Sequence, residues 1–426
     1  MMRVFTYPEQ SKWAELAKRP SEGIGAKEDA VKAILQAVRK QRDKALIDLT
    51  LKFDKVKIKN LKLDANTIKK AEKSISPALK KAIDKAYKNI YKFHSTQLNT
   101  KIEKVETTPG VVCWRKTVHL EKVGLYIPGG SAPLFSTVLM LGIPAKIAGC
   151  KEVILCSPPN IDAAILYAAS KCGIKKIFCV GGAQAIAAMA YGTKSIPKVD
   201  KIFGPGNSFV TIAKQLVTQE GVAIDMPAGP SEVLVIADDS ANAAFVASDL
   251  LSQAEHGPDS QVILLSTSKK LVDEVITEVN AQLKALPRKA IAEKALKNSR
   301  AIILKSLDEA MNFSNLYAPE HLILACKNAE KLGEKVINAG SVFLGNYSPE
   351  SAGDYASGTN HTLPTNGYAR AYSGVSVDSL IKKITFQQIS KDGLKNIGNT
   401  VEIMAEAEQL QAHKNAITIR LKTIKK

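Results

Sequence analysis

The pattern that most constrains this chain is a regular alternation of short apolar runs and helical segments between residues 122 and 344. The apolar runs predict buried strands at 123–127, 152–156, 176–180, 201–203, 222–224, 232–237, 261–266, 301–304, 321–325 and 341–344. The segments between them predict helices, as at 162–170, 183–191, 241–253 and 270–284. Strands that alternate with helices are typical of parallel sheets covered on both faces, so the sequence predicts two α/β units in tandem.

The segments before this alternation have other patterns. Residues 1–25 predict a short irregular arm that drapes over another element. Apolar residues recur at helical spacing in 28–51 and 66–93, which predicts two amphipathic helical stretches. Residues 103–120 alternate and carry β-branched residues, which favours strands.

The C-terminal part departs from the α/β pattern as well. Residues 351–367 are rich in Gly, Ser, Thr and Asn, which predicts a long functional loop. Residues 375–384 and 398–413 predict a strand and a terminal helix. This tail is too small to fold alone, so we expect it to dock on another domain or another subunit.

Composition excludes several classes of protein. With 45% hydrophobic and 23% charged residues the chain is typical of globular proteins, and no stretch reaches the ~20 apolar residues of a membrane span. No apolar signal segment opens the chain, so we expect a cytoplasmic protein without a membrane partner. The net charge of +18 comes from dispersed Lys residues, which argues against a nucleic-acid partner. No Cys-x-x-Cys pair occurs, and we expect reduced, structural cysteines.

Three Gly-rich turns follow predicted strands of the first α/β unit: Gly129-Gly130-Ser131, Gly181-Gly182-Ala183-Gln184 and Gly204-Pro205-Gly206-Asn207. Each lies before a helix N-terminus, where unpaired N–H groups favour a phosphate. No Gly-x-Gly-x-x-Gly motif is present, so nucleotide binding and simple tight turns both remain open at this point.

Polar residues at the ends of predicted elements are candidates for a metal site. Gln253 and His256 are three apart at a helix end closed by Gly257 and Pro258, so they share one helix face. Similar stretches contain Glu320 and His321, Asp354 and His361, and Glu408 and His413. Nitrogen and oxygen donors of this kind suit a divalent ion, and the adjacent Glu-His pair offers two proton acceptors. A solvated helix end and a zinc hydrolase are the alternatives.

These stretches resemble the histidinol dehydrogenase family. The similarity is carried by Leu-Ser-Gln-Ala-Glu-His-Gly from Leu251, Ala-Pro-Glu-His-Leu from Ala318, Ala-Gly-Asp-Tyr-Ala-Ser-Gly-Thr-Asn-His from Ala352 and Ala-His-Lys-Asn-Ala from Ala412. Tyr-Ile-Pro-Gly-Gly-Ser from Tyr126, Gly-Gly-Ala-Gln from Gly181, Phe-Gly-Pro-Gly-Asn from Phe203 and Ala-Gly-Pro-Ser-Glu-Val from Ala228 extend it. The resemblance runs from about residue 121 to the C-terminus in the family's order.

The resemblance implies oxidation of L-histidinol to L-histidine with two NAD+, in a homodimer that binds one zinc ion per site. The implied zinc ligands are Gln253, His256, Asp354 and His413, and the implied acid/base pair is Glu320 and His321. The implied substrate contacts are Ser231, Gln253, His256, Asp354, His361, Glu408 and His413, and the implied NAD contacts are Tyr126, Gln184 and Asn207.

The resemblance also implies a fold of two Rossmann-like parallel-sheet domains, one inserted in the other, with small N- and C-terminal extensions. The expected division is an arm at 1–24, a metal and catalytic domain at 25–121 with 231–375, an inserted NAD-binding domain at 122–230 and a C-terminal unit at 376–426. Members of the family exchange their C-terminal units, so we expect Glu408 and His413 to complete the active site of the partner subunit.

Overall fold

The computed structural model describes residues 2–20, 25–129 and 132–424. The chain divides into two compact units. The first contains Met1–Gln97 and Glu121–Ser379, and the second contains Leu98–Leu120 and Leu380–Lys426. None of the helices in the described part of the chain is long and apolar enough to span a membrane.

The chain begins with one strand and a series of helices in the first unit. These are β1 (Arg3–Thr6), α1 (Trp13–Leu16), α2 (Gly25–Gln41), α3 (Asp43–Asp54), α4 (Ala65–Ser74) and α5 (Pro77–Ser95). Two strands of the second unit follow, β2 (Lys104–Thr108) and β3 (Val111–His119). The predicted helical stretches are each divided in two. Ser76 caps α5 through the backbone N–H of Leu79, and Pro77 occupies the first helical turn, so α4 ends before them.

A five-stranded parallel sheet follows in the first unit, with strand order β6-β5-β4-β7-β8. Its elements are β4 (Lys122–Tyr126), α6 (Phe135–Ala148), β5 (Glu152–Ser157), α7 (Ala163–Lys171), β6 (Lys176–Cys179), α8 (Gly182–Tyr191), β7 (Lys201–Phe203), α9 (Ser208–Thr218) and β8 (Ala223–Ile224). This arrangement confirms the strands predicted in this region. The helices α2, α8 and α9 pack together, and their apolar residues form a core with the strands.

The second parallel sheet has six strands in the order β1-β11-β10-β9-β12-β13. Its remaining elements are β9 (Glu232–Ala237), α10 (Ala243–Ala254), β10 (Gln261–Ser266), α11 (Lys269–Leu283), α12 (Lys289–Lys297), β11 (Arg300–Ile303), α13 (Leu307–Tyr317), β12 (His321–Ala325), α14 (Ala329–Gly333), β13 (Ser341–Leu344) and α15 (Glu350–Tyr355). Alternate residues of β9 enter two different cores, Val233 and Val235 on one side and Leu234 and Ile236 on the other. The sheet is therefore covered on both faces, as predicted.

Two sequence predictions for the first unit need correction. The predicted irregular arm contains a strand, because β1 pairs in parallel with β11 at the edge of the six-stranded sheet. The predicted loop at 351–367 begins inside α15 and becomes irregular only after Tyr355. The five-stranded sheet lies in sequence between β1 and β9, which agrees with two Rossmann-like sheets of which one is inserted in the other.

The second unit is an antiparallel sheet with two helices. Strand β14 (Ile381–Ile389) pairs with β3, and β3 pairs with β2. The helices are α16 (Lys391–Ala407) and α17 (Gln411–Ile424), where the sequence predicted one. The chain turns between them at Gln409, whose φ of 59° lies in the left-handed region. The predicted division of the chain into domains stays a prediction.

Candidate active site at the amino edge of the six-stranded sheet

The site is built where β9 and β12 begin side by side. His321 opens β12 and pairs with Val233, so Glu232 and Glu320, one residue before Val233 and His321, lie at the amino edge of the sheet. Helix α10 follows β9 and returns to this edge, where Gln253 lies one residue before its end. Ser231 precedes β9, and its carbonyl oxygen accepts a hydrogen bond from the backbone N–H of Gln261 (3.1 Å). The parallel topology therefore brings distant polar residues together.

The imidazole of His321 is buried, with 3% of the residue exposed. Its Nδ1 lies 3.1 Å from the carbonyl oxygen of Glu232 and 3.0 Å from Nε2 of Gln253. A carbonyl oxygen can only accept, so in the neutral tautomer that serves this contact Nδ1–H donates to Glu232 and Nε2 carries the lone pair. Nε2 has no hydrogen-bond partner among the described residues and lies 3.6 Å from Oδ1 of Asp354. In that neutral tautomer His321 can act as a base through Nε2.

Glu320 is a second buried proton acceptor beside His321. It is 7% exposed, and its Oε2 accepts a hydrogen bond from the backbone N–H of Glu232 at 2.9 Å. The same oxygen lies 3.6 Å from Nδ1 of His321. Burial raises the pKa of Glu320 to about 7, although the charge of His321 and the hydrogen bond from Glu232 lower it. A carboxyl group with such a pKa can exchange a proton near neutral pH.

Two further carboxyl groups approach His321 from α15. Glu350 is 1% exposed, and its Oε2 has no partner within the described ranges. Donor atoms of His321, Glu350 and Asp354 all lie within 4.8 Å of one another, which is a geometry that could hold a metal ion. Burial raises the pKa of Glu350 to about 8. The sequence analysis missed Glu350, because a single Glu after a proline carries no distinctive signal.

The carboxyl groups and the histidines shift each other's pKa values. Burial acts to raise the pKa of Asp354, but the nearby imidazole of His321 and the charges of His321, His361 and His256 leave it below its usual value. Burial lowers the pKa of His321, yet Glu350, Glu320 and Asp354 together raise it well above 6.5. The charges of His256 and His361 both act on Asp354, so these three side chains belong to one electrostatic cluster.

His256 and His361 each bind a backbone carbonyl through Nδ1. His256 is exposed, and its Nδ1 lies 2.9 Å from the carbonyl oxygen of Ser252, which leaves Nε2 available. Nδ1 of His361 lies 2.9 Å from the carbonyl oxygen of Asp354, and its Nε2 lies 3.1 Å from Oγ1 of Thr137. Because Thr137 belongs to α6, which follows β4, the five-stranded sheet reaches the cluster through this contact.

The Gly-rich turns of the five-stranded sheet are fixed by protein hydrogen bonds. The hydroxyl of Tyr126 accepts a hydrogen bond from the backbone N–H of Gly182 (2.9 Å) at the start of α8, and Gln184 is 2% exposed in the same helix. Tyr126 is buried as well, with 3% of the residue exposed. Asn207 is exposed and caps α9, its Oδ1 accepting from Val210 (3.2 Å). Gly130 and Ser131 of the remaining turn lie outside the described residues.

The turn at Gly204 rests on a buried ion pair. Lys214 and Asp225 pair with their side chains only 5% and 2% exposed. Nζ of Lys214 donates to the carbonyl oxygen of Gly204 (2.8 Å), and Oδ2 of Asp225 accepts from its N–H (2.8 Å). Gly204 has a φ of 129°, and a Cβ there would lie 2.0 Å from the carbonyl oxygen of Tyr126. Glycine is therefore required at this position for steric reasons.

Glu408 and His413 belong to the second compact unit, whereas the site residues described so far belong to the first. Glu408 follows α16 as its C-terminal cap, and His413 lies in the first turn of α17. Both side chains are exposed. The first unit by itself brings together Glu320, His321, Gln253, His256, Asp354 and His361.

Comparisons with known proteins agree on one family. The sequence profile described as histidinol dehydrogenase matches residues 17–421. A histidinol dehydrogenase from Bacteroides thetaiotaomicron is 60% identical over 429 residues, covering 100% of both chains, and one from Vibrio parahaemolyticus is 56% identical over 412 residues, covering 96% of this chain and 95% of that one. The crystal structure of histidinol dehydrogenase from Elizabethkingia anophelis superposes with a TM-score of 0.97 at 56% identity, covering 100% of this chain and 99% of the other.

Proposed function

Because the chain belongs to the histidinol dehydrogenase family, we propose that it oxidises L-histidinol to L-histidine through histidinaldehyde, reducing two NAD+ and using one zinc ion per site. The single observation that supports this chemistry best is the buried Glu320–His321 pair. One member is a base whose Nε2 has no partner in the described part of the chain, and the other is a carboxyl group whose pKa is about 7. Each of the two hydride transfers is accompanied by loss of a proton, and activation of water calls for a proton acceptor as well, so two acceptors in one site suit this chemistry.

The first unit supplies donors that fit a zinc ion. His256 holds its Nδ1 on a backbone carbonyl and leaves Nε2 free, as metal-bound histidines commonly do. Nε2 of Gln253 donates to Glu232 (3.1 Å), which leaves the amide oxygen as a donor, and Asp354 contributes a carboxylate. We assign His256, Gln253 and Asp354 as zinc ligands together with His413. His321 is not assigned as a ligand, because it is needed as a base, and neither is Glu350. When bound, zinc would serve as a template for the imidazole and amine of histidinol and offset the carboxylates around His321.

In the first oxidation, Nε2 of His321 accepts the proton of the substrate hydroxyl. A hydride passes to NAD+ from the carbon that carries this hydroxyl. The Nδ1–H of His321 stays on the carbonyl oxygen of Glu232, which keeps the ring in one orientation. The product is the aldehyde, and the thiols of Cys156 and Cys172 take no part in holding it. Cys156 and Cys172 are buried, and burial raises the pKa of Cys156 above its ordinary value of 9.0 and that of Cys172 to about 12, so neither forms a thiolate.

In the second oxidation, Glu320 removes a proton from the water that adds to the aldehyde. The resulting diol then loses a hydride to NAD+ and a proton to His321, which gives the carboxylic acid, and loss of the acid's proton to solvent leaves the carboxylate of histidine. Ser231, His361 and Glu408 are the remaining substrate contacts. Tyr126, Gln184 and Asn207 are the cofactor contacts. Gln184 and Asn207 lie at the N-termini of α8 and α9, and the hydroxyl of Tyr126, at the end of β4, meets the first N–H of α8.

We further propose a homodimer in which Glu408 and His413 complete the site of the partner subunit. Support comes from the small size of the second unit and from the exposure of both side chains. Mixing a His413→Ala variant with an Asp354→Ala variant then restores activity, because one hybrid site contains neither substitution. Recovery is measured after confirmed subunit exchange, and its absence would mean that each site is closed within one chain.

The activity itself is tested by following NADH absorbance with purified protein, L-histidinol and NAD+. We expect two NADH for each histidinol consumed. Imidazole alcohols without the amine serve as controls, because they lack one of the groups that the template needs. An absence of NADH with zinc-supplemented protein would refute the proposed function.

A further inference from the structure

The N-terminal arm carries a buried arginine that reaches the edge of the active site. Arg19 pairs with the carboxylate of Glu232 through both Nε and an Nη atom, the latter at 2.8 Å. The same guanidinium donates to the carbonyl oxygens of Tyr317 (2.8 Å) and Ala318 (3.3 Å) and lies 3.9 Å from the centre of the Tyr317 ring. The side chains of Arg19 and Glu232 are only 14% and 2% exposed. Nε and Nη2 of this guanidinium are therefore both engaged by protein, and its face lies against the Tyr317 ring.

Glu232 contacts the catalytic cluster through its backbone N–H and its carbonyl oxygen, and the segment after His361 through its carboxylate. Its backbone N–H donates to Oε2 of Glu320 (2.9 Å). Its carbonyl oxygen accepts from Gln253 and from Nδ1 of His321, both at 3.1 Å. Its carboxylate accepts a hydrogen bond from the backbone N–H of Asn366 (2.8 Å). Asn366 lies in the same irregular segment as His361. A movement of Glu232 shifts a proposed metal ligand and both proton acceptors at once.

We propose that the Arg19–Glu232 ion pair is a positioning device for the active site. The bidentate arginine fixes the start of β9, and Glu232 in turn sets the tautomer of His321 and the orientation of Gln253. The effect that we expect on kcat rests on the proposed function. Neither residue touches substrate, so both act through His321, Glu320 and Gln253.

The test compares Arg19→Ala with Arg39→Ala. Arg39 is a matched control, since it also pairs with a glutamate, Glu220 (2.6 Å), and lies 4.9 Å from the centre of the Tyr191 ring, far along the chain from the site residues. We expect kcat per folded, zinc-loaded site to fall roughly 10- to 100-fold in Arg19→Ala, the range seen when a partner of a site residue is removed. Arg39→Ala retains the kcat of the wild type.

Two additional measurements separate positioning from general stability. Millimolar guanidinium restores part of the kcat of Arg19→Ala, and does not restore a variant that also carries Glu232→Gln, because the cavity then has no anion. Zinc affinity, measured by competition with a chromophoric chelator, falls in Arg19→Ala and not in Arg39→Ala. If Arg19→Ala does not fold, Arg19→Lys replaces it, since Lys keeps the positive charge but cannot form the bidentate hydrogen bonds of the guanidinium.

The outcomes are distinct. A folded Arg19 variant with wild-type kcat and zinc affinity overturns the positioning role, as does a loss of kcat that guanidinium cannot reverse. Failure of the wild-type chain to produce NADH overturns the proposed function instead. The zinc affinities of the two variants still decide the positioning role in that case.

Discussion

The two parallel sheets of the first unit use buried polar residues in opposite ways. At the amino edge of the six-stranded sheet, His321 and Glu350 are buried, and each has a polar atom without a partner among the described residues. At the Gly204 turn of the five-stranded sheet, Lys214 and Asp225 are equally buried but satisfy each other and the backbone. The first arrangement leaves groups available for a ligand, and the second leaves none.

This difference distinguishes buried polar residues that bind or react from buried polar residues that maintain the backbone conformation. A buried polar group without a partner costs stability, so its presence indicates a role in binding or catalysis. A buried pair with all its hydrogen bonds formed instead maintains one backbone conformation. We therefore expect substitutions at the first edge to change rates and substitutions at the second to change stability.

The largest expected effect is on catalysis, from Glu320→Gln. Oxidation of histidinaldehyde falls by roughly 10²- to 10⁴-fold, because water is no longer activated, whereas alcohol oxidation by His321 is largely spared. The unfolding free energy does not decrease, because Gln removes a carboxyl group whose pKa burial raises to about 7. Single-turnover NADH formation from each substrate measures the two steps. Equal losses in both half-reactions would contradict the division of roles.

The next effect is on stability, from Lys214→Met. Asp225 is left buried and unpaired, which lowers the unfolding free energy by about 3–5 kcal/mol. Lys335→Met is the control, since Lys335 and its partner Asp308 are 52% and 68% exposed. An exposed pair of this kind contributes about 0–1 kcal/mol. Denaturant unfolding compares the variants, and equal stability of the two would show that the Gly204 turn does not depend on its ion pair.

The smallest effect is a pH dependence of stability that arises from His94. This buried residue bonds to the carbonyl oxygen of Ile90 (3.0 Å) and to Asn360 (3.3 Å), the neighbour of His361. Burial lowers the pKa of His94 below 6.5. Below pH 6.5 the unfolded chain therefore binds a proton that the folded chain does not, and stability falls with decreasing pH until the folded pKa is passed.

His94→Gln removes this contribution. The slope that His94 adds is at most about 1.4 kcal/mol per pH unit. Unfolding of metal-free protein between pH 5 and 8 isolates it as the difference between the wild type and the variant. A difference that does not change with pH would show that the pKa of His94 is the same in the folded and the unfolded chain.

The sequence predicted the sheets well because their strands are buried on both faces and leave continuous apolar runs. Breaks inside helical patterns were harder to predict. The turn between α16 and α17 depends on a left-handed Gln409, and β1 is a short edge strand whose residues are mostly exposed. Neither leaves a periodic signal in the sequence.

The candidate site was predicted only in part. The motifs around Glu320, His321 and Asp354 could be read from the sequence, and the structure brings these three together. The roles of Glu350, Glu232 and Arg19 could not be read, because they depend on which backbone atoms meet at the edge of a sheet. The exposure of Asn207 and the burial of Gln184 likewise follow from tertiary packing alone.

The central claim is that Gln253, His256, Asp354 and His413 hold a zinc ion beside the proton acceptors Glu320 and His321, and that together they form a zinc-dependent site for histidinol oxidation. The most direct measurement is NADH formation from L-histidinol and NAD+ before metal removal, after it and after zinc is returned. We expect activity to be lost with the metal and to recover in proportion to zinc bound, up to one ion per chain. Full activity in protein verified to be free of metal would contradict the account.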